Sequence, residues 1–138
     1  CDIQADLVYI DPPYFNTKGS HISYHSRYHF LEGLTNYNEL EDFISLEKNN
    51  KEIQINHSKE FEYRSNFCDE LRQLLSKHVN STIVISYRDN GYPSIEKIKK
   101  ILSEFKREDN IHSINLGEYS YALNRSRIKA NEYLIIGR

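Results

Sequence analysis

The 138-residue sequence has no methionine, three prolines, five glycines and only two cysteines, and each scarcity excludes something. Cys1 and Cys68 form no CxxC pair, so neither a zinc knuckle nor a disulfide framework is supported, and redox chemistry is set aside. No apolar run approaches the roughly 18 residues a membrane span needs, and the opening stretch lacks the charged, apolar and small-residue blocks of a signal peptide. A cytoplasmic protein with no membrane partner is the expectation. Lacking methionine and opening directly into a strand-like segment, the chain reads as a piece of a longer polypeptide.

What is present suits one soluble globular domain over residues 1–138: 38% apolar and 28% charged residues give enough material for a single core. The net charge of −2 hides an asymmetry. Residues 1–69 carry 6 Lys/Arg against 12 Asp/Glu, whereas residues 70–138 carry 12 against 8. With a pI near 6.3, bulk charge cannot coat nucleic acid, so any contact with DNA is expected to be a local basic patch.

Residues 5–10 (ADLVYI) form a short run rich in β-formers, closed by Asp11-Pro12-Pro13, and read as a buried strand with an abrupt exit. Residues 15–35 show no sustained period and read as a long loop with a helical turn. Asn36 and Glu39 resemble a capping box, and Tyr37, Leu40 and Ile44 recur at helical spacing, which predicts a helix over 37–46. The polar stretch 47–65 reads as a surface insertion or mobile loop. Phe67, Leu71, Leu74, Leu75 and Val79 then make one apolar helical stripe.

Residues 82–87 (TIVISY) predict a strand covered on both faces. Pro93-Ser94 starts a helix whose inner face is Ile95, Ile98, Ile101, Leu102 and Phe105. Residues 111–121 and 133–136 are two more strands, separated by a loop, 123–131, that carries Arg125, Arg127 and Lys129. The order β-α-α-β-α-β-β predicts a layered α/β sheet whose last two strands can pair antiparallel.

The stretch ADLVYIDPPYF, residues 5–15, resembles the DPPY-type amino-methyltransferases, specifically the adenine-N6 DNA methyltransferases, with Asp11, Pro12, Pro13 and Tyr14 matching the catalytic motif in full. The chemistry explains the residue types. An exocyclic amine is a poor nucleophile because its lone pair is delocalised into the ring, and two acceptors holding its N–H bonds steer the nitrogen toward tetrahedral geometry. Asp11 supplies a carboxylate and Pro12 a backbone carbonyl, while each proline fixes φ and removes a competing N–H. Tyr14, assisted by Phe15, supplies a flat wall for a base drawn out of the duplex. A site at the C-terminal end of a strand is where open α/β sheets place ligands.

Residues 28–34 (YHFLEGL) look like a segment that follows the motif in some bacterial adenine methylases, and residues 132–136 (EYLII) look like their closing strand. The resemblance implies a partial Rossmann-like class I methyltransferase sheet, strands 4 to 7 of the family with flanking helices and the last two strands antiparallel. It implies S-adenosyl-L-methionine as methyl donor, with Asp11 and Pro12 on the cofactor side, double-stranded DNA as substrate, and a possible cognate restriction endonuclease. The family's Gly-rich cofactor loop has no counterpart, since Gly19, Gly33, Gly91, Gly117 and Gly137 never form GxG. The reading is therefore a C-terminal catalytic fragment, inactive alone, whose first strand has an unpaired edge awaiting a missing N-terminal half or another chain.

Tyr119 and Tyr121 resemble the position of a second base-contacting aromatic, Tyr121 being preferred, and Lys18, Arg125, Arg127 and Lys129 are candidate DNA-backbone contacts. His21, His25 and His29 share one face if helical. Nearby serines interrupt that helix and no acidic partner completes a site, so no metal is expected. The same two-acceptor logic serves other planar amines, which keeps methylation of ribosomal RNA or of a protein glutamine as an alternative. A non-catalytic binding or assembly module that retains the fold is another.

Overall fold

The computed structural model describes residues 3–15, 29–35, 37–39, 41, 44, 47, 49, 61, 63–119 and 130–138. The elements in chain order are β1 (Leu7–Ile10), α1 (His29–Thr35), a 3-10 turn (Tyr37–Glu39), α2 (Phe67–Lys77), β2 (Thr82–Arg88), α3 (Ile95–Leu102), a second 3-10 turn (Glu108–Asn110), β3 (Ile111–Tyr119) and β4 (Ala130–Gly137). Within residues 15–35 the described part after Phe15 is the helix α1, a longer helical element than a single turn. Of the helix expected over 37–46, the described residues show a 3-10 turn at Tyr37–Glu39, helical backbone at Glu41 and a bridge position at Ile44; residues 40, 42–43 and 45–46 lie outside the described set.

The four strands form one mixed sheet in the order β1-β2-β4-β3. β1 runs parallel to β2, with Leu7 opposite Thr82 and Ile10 opposite Ile85. β4 lies antiparallel to both neighbours, pairing Ile135 with Ile85 on one side and with Ser113 on the other. The expected antiparallel pairing of the last two strands is present, and β4 starts earlier than expected, at Ala130, within the stretch read as a loop. The ladder is interrupted between Asn115 and Gly117, where Gly117 takes a φ of +99° and its N–H donates to the Asn115 side chain at 2.8 Å. A left-handed backbone at a bulge is where glycine is least strained.

Paired residues share a face of a sheet. Val8, Ile10, Ile83, Ile85, Tyr87 and Ile135 therefore point to one side, where they join Phe67, Leu71 and Leu75 of α2 and Ile98, Ile101 and Leu102 of α3 in a single core. Each fully buried aliphatic side chain stabilises by roughly 1.5–3 kcal/mol. Ser94 caps α3, its hydroxyl accepting from the Lys97 N–H at 3.3 Å, and the Arg72 guanidinium ties α2 to the turn after α3 through both oxygens of Glu104, at 2.9 and 3.1 Å. The opposite face is more open. Leu7 and Tyr9 on β1 and Ile114 on β3 are about half exposed, at 57%, 58% and 49%.

The C-terminal end of the 47–65 stretch departs from a surface insertion. Phe61 packs edge-on against the buried Phe67 ring at 5.6 Å, and the Arg64 guanidinium stacks 3.7 Å from the centre of the Tyr92 ring. Aromatic and cation–π contacts of this kind anchor a chain that its polar composition alone suggests is solvated.

Candidate functional site

β1 stops after four residues because Pro12 and Pro13 have no N–H with which to continue a ladder. The chain is pinned again at Phe15, whose carbonyl accepts from the Tyr92 N–H at 3.1 Å in an isolated antiparallel bridge. Asp11 to Tyr14 thus form a short loop held at both ends, at the C-terminal edge of β1. Within it Asp11 is exposed, Pro12 buried, and Pro13 and Tyr14 half-buried.

Phe15 corrects an expectation. Its side chain is fully buried and meets Phe67 edge-on at 6.0 Å, so it anchors the loop in the core and presents no face to a nucleobase. A lone aromatic after the motif carries no periodicity that tells an anchor from a stacking platform, and the bridge to Tyr92 decides which it is.

The Tyr14 hydroxyl donates to Asp11 Oδ1 at 2.5 Å and lies 3.4 Å from Ser86 Oγ. Ser86 in turn donates to Glu132 Oε1 at 2.9 Å. Ser86 and Glu132 are 46 positions apart, and the β2–β4 register, Arg88 opposite Glu132 and Ser86 opposite Leu134, sets them diagonally on the open face of the sheet. The Tyr14 ring meets Tyr87 edge-on at 5.5 Å, and the Arg88 guanidinium carbon stands 5.4 Å from its centroid. Burial, reinforced by the hydrogen bond to Asp11, pushes the Tyr14 phenol well above its ordinary range. It therefore stays a proton donor throughout the physiological range.

A partly open cavity of about 530 Å³ lies beside the loop, with Val8, Ile10, Phe61 and Leu74 among its apolar walls and Asp11 and Pro12 in its lining. Asp11 is the residue common to this cavity and to the Tyr14 hydrogen bond. His78 also lines the cavity, is buried, and its Nδ1 has no hydrogen-bond partner among the described residues. Sequence reasoning missed Ser86, Glu132 and His78. The first two look like ordinary strand residues until the sheet register is known.

Lys18, Tyr121, Arg125, Arg127 and Lys129 lie outside the described residues, as do His21 and His25. Among the described residues no group of three or more His, Cys, Asp or Glu side chains is arranged to hold a metal ion, and no helix is long and apolar enough to cross a membrane.

No family model matches the chain. It is similar to Modification methylase LlaI of Lactococcus lactis subsp. lactis, 28% identical over 129 residues that cover 93% of this chain and 19% of that protein. The chain thus spans about a fifth of the length of the curated relative it matches. The similarity supports a methylase relationship, and the mixed α/β sheet is compatible with part of a methyltransferase fold.

Proposed function

We propose that this chain supplies the catalytic part of a DNA methyltransferase that modifies the N6 amino group of an adenine drawn out of the duplex. The observation that carries the reading is the Asp11–Tyr14 loop. It is pinned at the end of β1, with an exposed carboxylate bordering an apolar cavity on one side and meeting a phenol on the other. The similarity to a modification methylase over nearly the whole chain points the same way, as does the antiparallel pairing of the last two strands in a sheet read as the later half of a Rossmann-like one.

In this reading Asp11 accepts one N–H bond of the target amine and the Pro12 carbonyl accepts the other. The two acceptors localise the lone pair on nitrogen and aim it, which accounts for catalysis by position and electrostatics without prior deprotonation. Asp11 then takes the proton shed by the methylated nitrogen. Tyr14 supports the extruded base, and stacking of roughly 1–3 kcal/mol per base offsets part of the cost of extraction.

The residues present fit the transfer end of S-adenosyl-L-methionine: Asp11 complements the charge of a sulfonium, and the apolar walls beside it suit the carbon substituents. When bound, that group supplies an electrophilic methyl carbon. Asp11 and Pro12 are the residues of this chain that would hold that end of it. Among the described residues β1 is an edge strand, with Leu7 and Tyr9 half exposed, and this edge is the position at which further sheet would join.

The test is transfer of labelled methyl from S-adenosyl-L-methionine to DNA by the full-length protein, followed by nucleoside analysis. N6-methyladenine that disappears with Asp11→Ala supports the reading. Label on RNA or on a protein amide instead of DNA redirects it to another planar amine.

A further inference from the structure

The hydrogen bonds around Tyr14 contain a mismatch that has a chemical use. A hydroxyl carries one proton, and an ionised carboxylate only accepts. The Tyr14 proton is committed to Asp11 and the Ser86 proton to Glu132, so the contact between the two hydroxyl oxygens has no proton of its own. Its length of 3.4 Å, beyond the usual range for O–H···O, agrees with that. The arrangement is complete only while Asp11 is held by Tyr14. The amine to be methylated needs an acceptor on the same carboxylate, of which Tyr14 already holds one of the two oxygens, Oδ1, and so fixes the direction in which the group can turn.

We propose that Ser86 and Glu132 are positioning residues that take over the Tyr14 hydroxyl when Asp11 turns to the target amine. Because the Ser86 proton already points to Glu132, its oxygen is free to accept, and the phenol proton needs only to rotate from Asp11 Oδ1 to Ser86 Oγ. The result is a chain of donors, Tyr14 to Ser86 to Glu132, ending on a charge, in which each bond polarises the next. No bond to carbon or oxygen is made or broken and no proton changes owner. Burial of Ser86, 1% exposed, keeps competing water from its hydroxyl. Tyr14, with its phenol held protonated by burial and by Asp11, remains a donor in both arrangements. Ser86 and Glu132 so determine two things at once: that Asp11 is released, and that the Tyr14 ring stays oriented after the release.

The inference rests on the methyltransferase reading, and two measurements on the full-length protein separate its failure from the failure of that reading. The first needs no activity. In a crystal structure of Asp11→Ala, the Tyr14 hydroxyl is expected to close on Ser86 Oγ to below about 3.0 Å; a hydroxyl that turns to solvent or keeps its present separation overturns the proposal. The second is a kinetic cycle. Ser86→Ala and Glu132→Gln are each expected to lower kcat about tenfold or more, the size of a lost charge-assisted hydrogen bond, with KM for DNA little changed. Both effects are expected to vanish in a Tyr14→Phe background, which has no hydroxyl to hold. Equal losses in the two backgrounds mean that Ser86 and Glu132 act on the fold instead and overturn the proposal. A wild-type protein without methyl transfer overturns the functional reading, leaving the crystallographic result to decide the hand-over.

Discussion

The Tyr14 hydroxyl and the Asp11 carboxylate, three positions apart, are joined by a 2.5 Å hydrogen bond that closes the Asp-Pro-Pro-Tyr loop on itself. The two side chains are therefore coupled, and the ring and the hydroxyl of Tyr14 have separable roles. Tyr14→Phe keeps the ring and releases Asp11, and is expected to retain methyl transfer within about tenfold of wild type, the scale of one hydrogen bond. Tyr14→Ala also removes the stacking surface, and is expected to lose a further ~10–100-fold in kcat/KM for DNA, as stacking energies of ~1–3 kcal/mol imply. Steady-state kinetics of the two variants checks the order; equal losses would assign the whole effect to the hydroxyl.

Phe15 is a structural anchor. Its ring has no exposed surface and sits between the Asp11–Tyr14 loop and α2 through Phe67. Phe15→Ala is expected to destabilise the protein by roughly 3–5 kcal/mol, the range for truncating a buried aromatic, which urea denaturation measures directly. An unchanged midpoint with weakened DNA binding would return Phe15 to the role of a base contact.

Tyr87 brings a buried hydroxyl into the core with no hydrogen-bond partner among the described residues. Removing it in Tyr87→Phe is expected to leave stability unchanged or raise it by about 1 kcal/mol, because an unsatisfied hydroxyl loses its water without compensation. The phenols of Tyr87 and Tyr14 are both raised by burial, which sets the sign of an alkaline effect. The unfolded state ionises first, so the stabilisation is whole below the ordinary tyrosine pKa of about 10 and is lost as pH rises beyond it. Urea midpoints followed from pH 8 to 11 are expected to fall at the alkaline end, and less steeply for Tyr87→Phe.

The Arg72–Glu104 pair acts in the opposite pH range. Its bidentate hydrogen bond holds the Glu104 carboxyl below the ordinary glutamate range. A lowered carboxyl stabilises above the unfolded pKa of about 4.3 and loses that contribution as pH falls through the folded value. Because Glu104 is solvent-exposed, the effect is small and salt-sensitive. A double-mutant cycle with Arg72→Ala and Glu104→Ala is expected to give a favourable coupling at pH 7 in low salt and none near pH 2 or in 1 M salt.

Much of this framework was legible because it is local. The 5–10 run followed by Asp-Pro-Pro predicted a strand and its end, although only Ile10 of β1 is buried where a buried strand is expected; the Pro93-Ser94 start predicted α3, whose stripe is expected to run to Phe105 and whose helix stops at Leu102; and residues 82–87 predicted β2 to within a residue. The motif residues Asp11 and Tyr14 are local too, and they meet in one loop. The partnership of Tyr14 with Ser86 and Glu132 could not be read, because it depends on which strand lies next to which and in what register. The fate of Phe15 could not be read for the same reason, its neighbours Phe67 and Tyr92 being distant in sequence. Of the helix expected over 37–46 the described residues show a 3-10 turn and a helical Glu41, and Tyr37 is 73% exposed, so its position in the pattern does not mark a buried face.

The most direct test is the fate of the methyl group when Asp11 alone is changed in the full-length protein. With labelled S-adenosyl-L-methionine and duplex DNA, wild type is predicted to yield N6-methyladenine, and Asp11→Ala to yield less than about a hundredth as much, since positioning of the amine is the main source of rate, while still binding DNA. N6-methyladenine formed by Asp11→Ala at a rate near that of wild type would contradict the account.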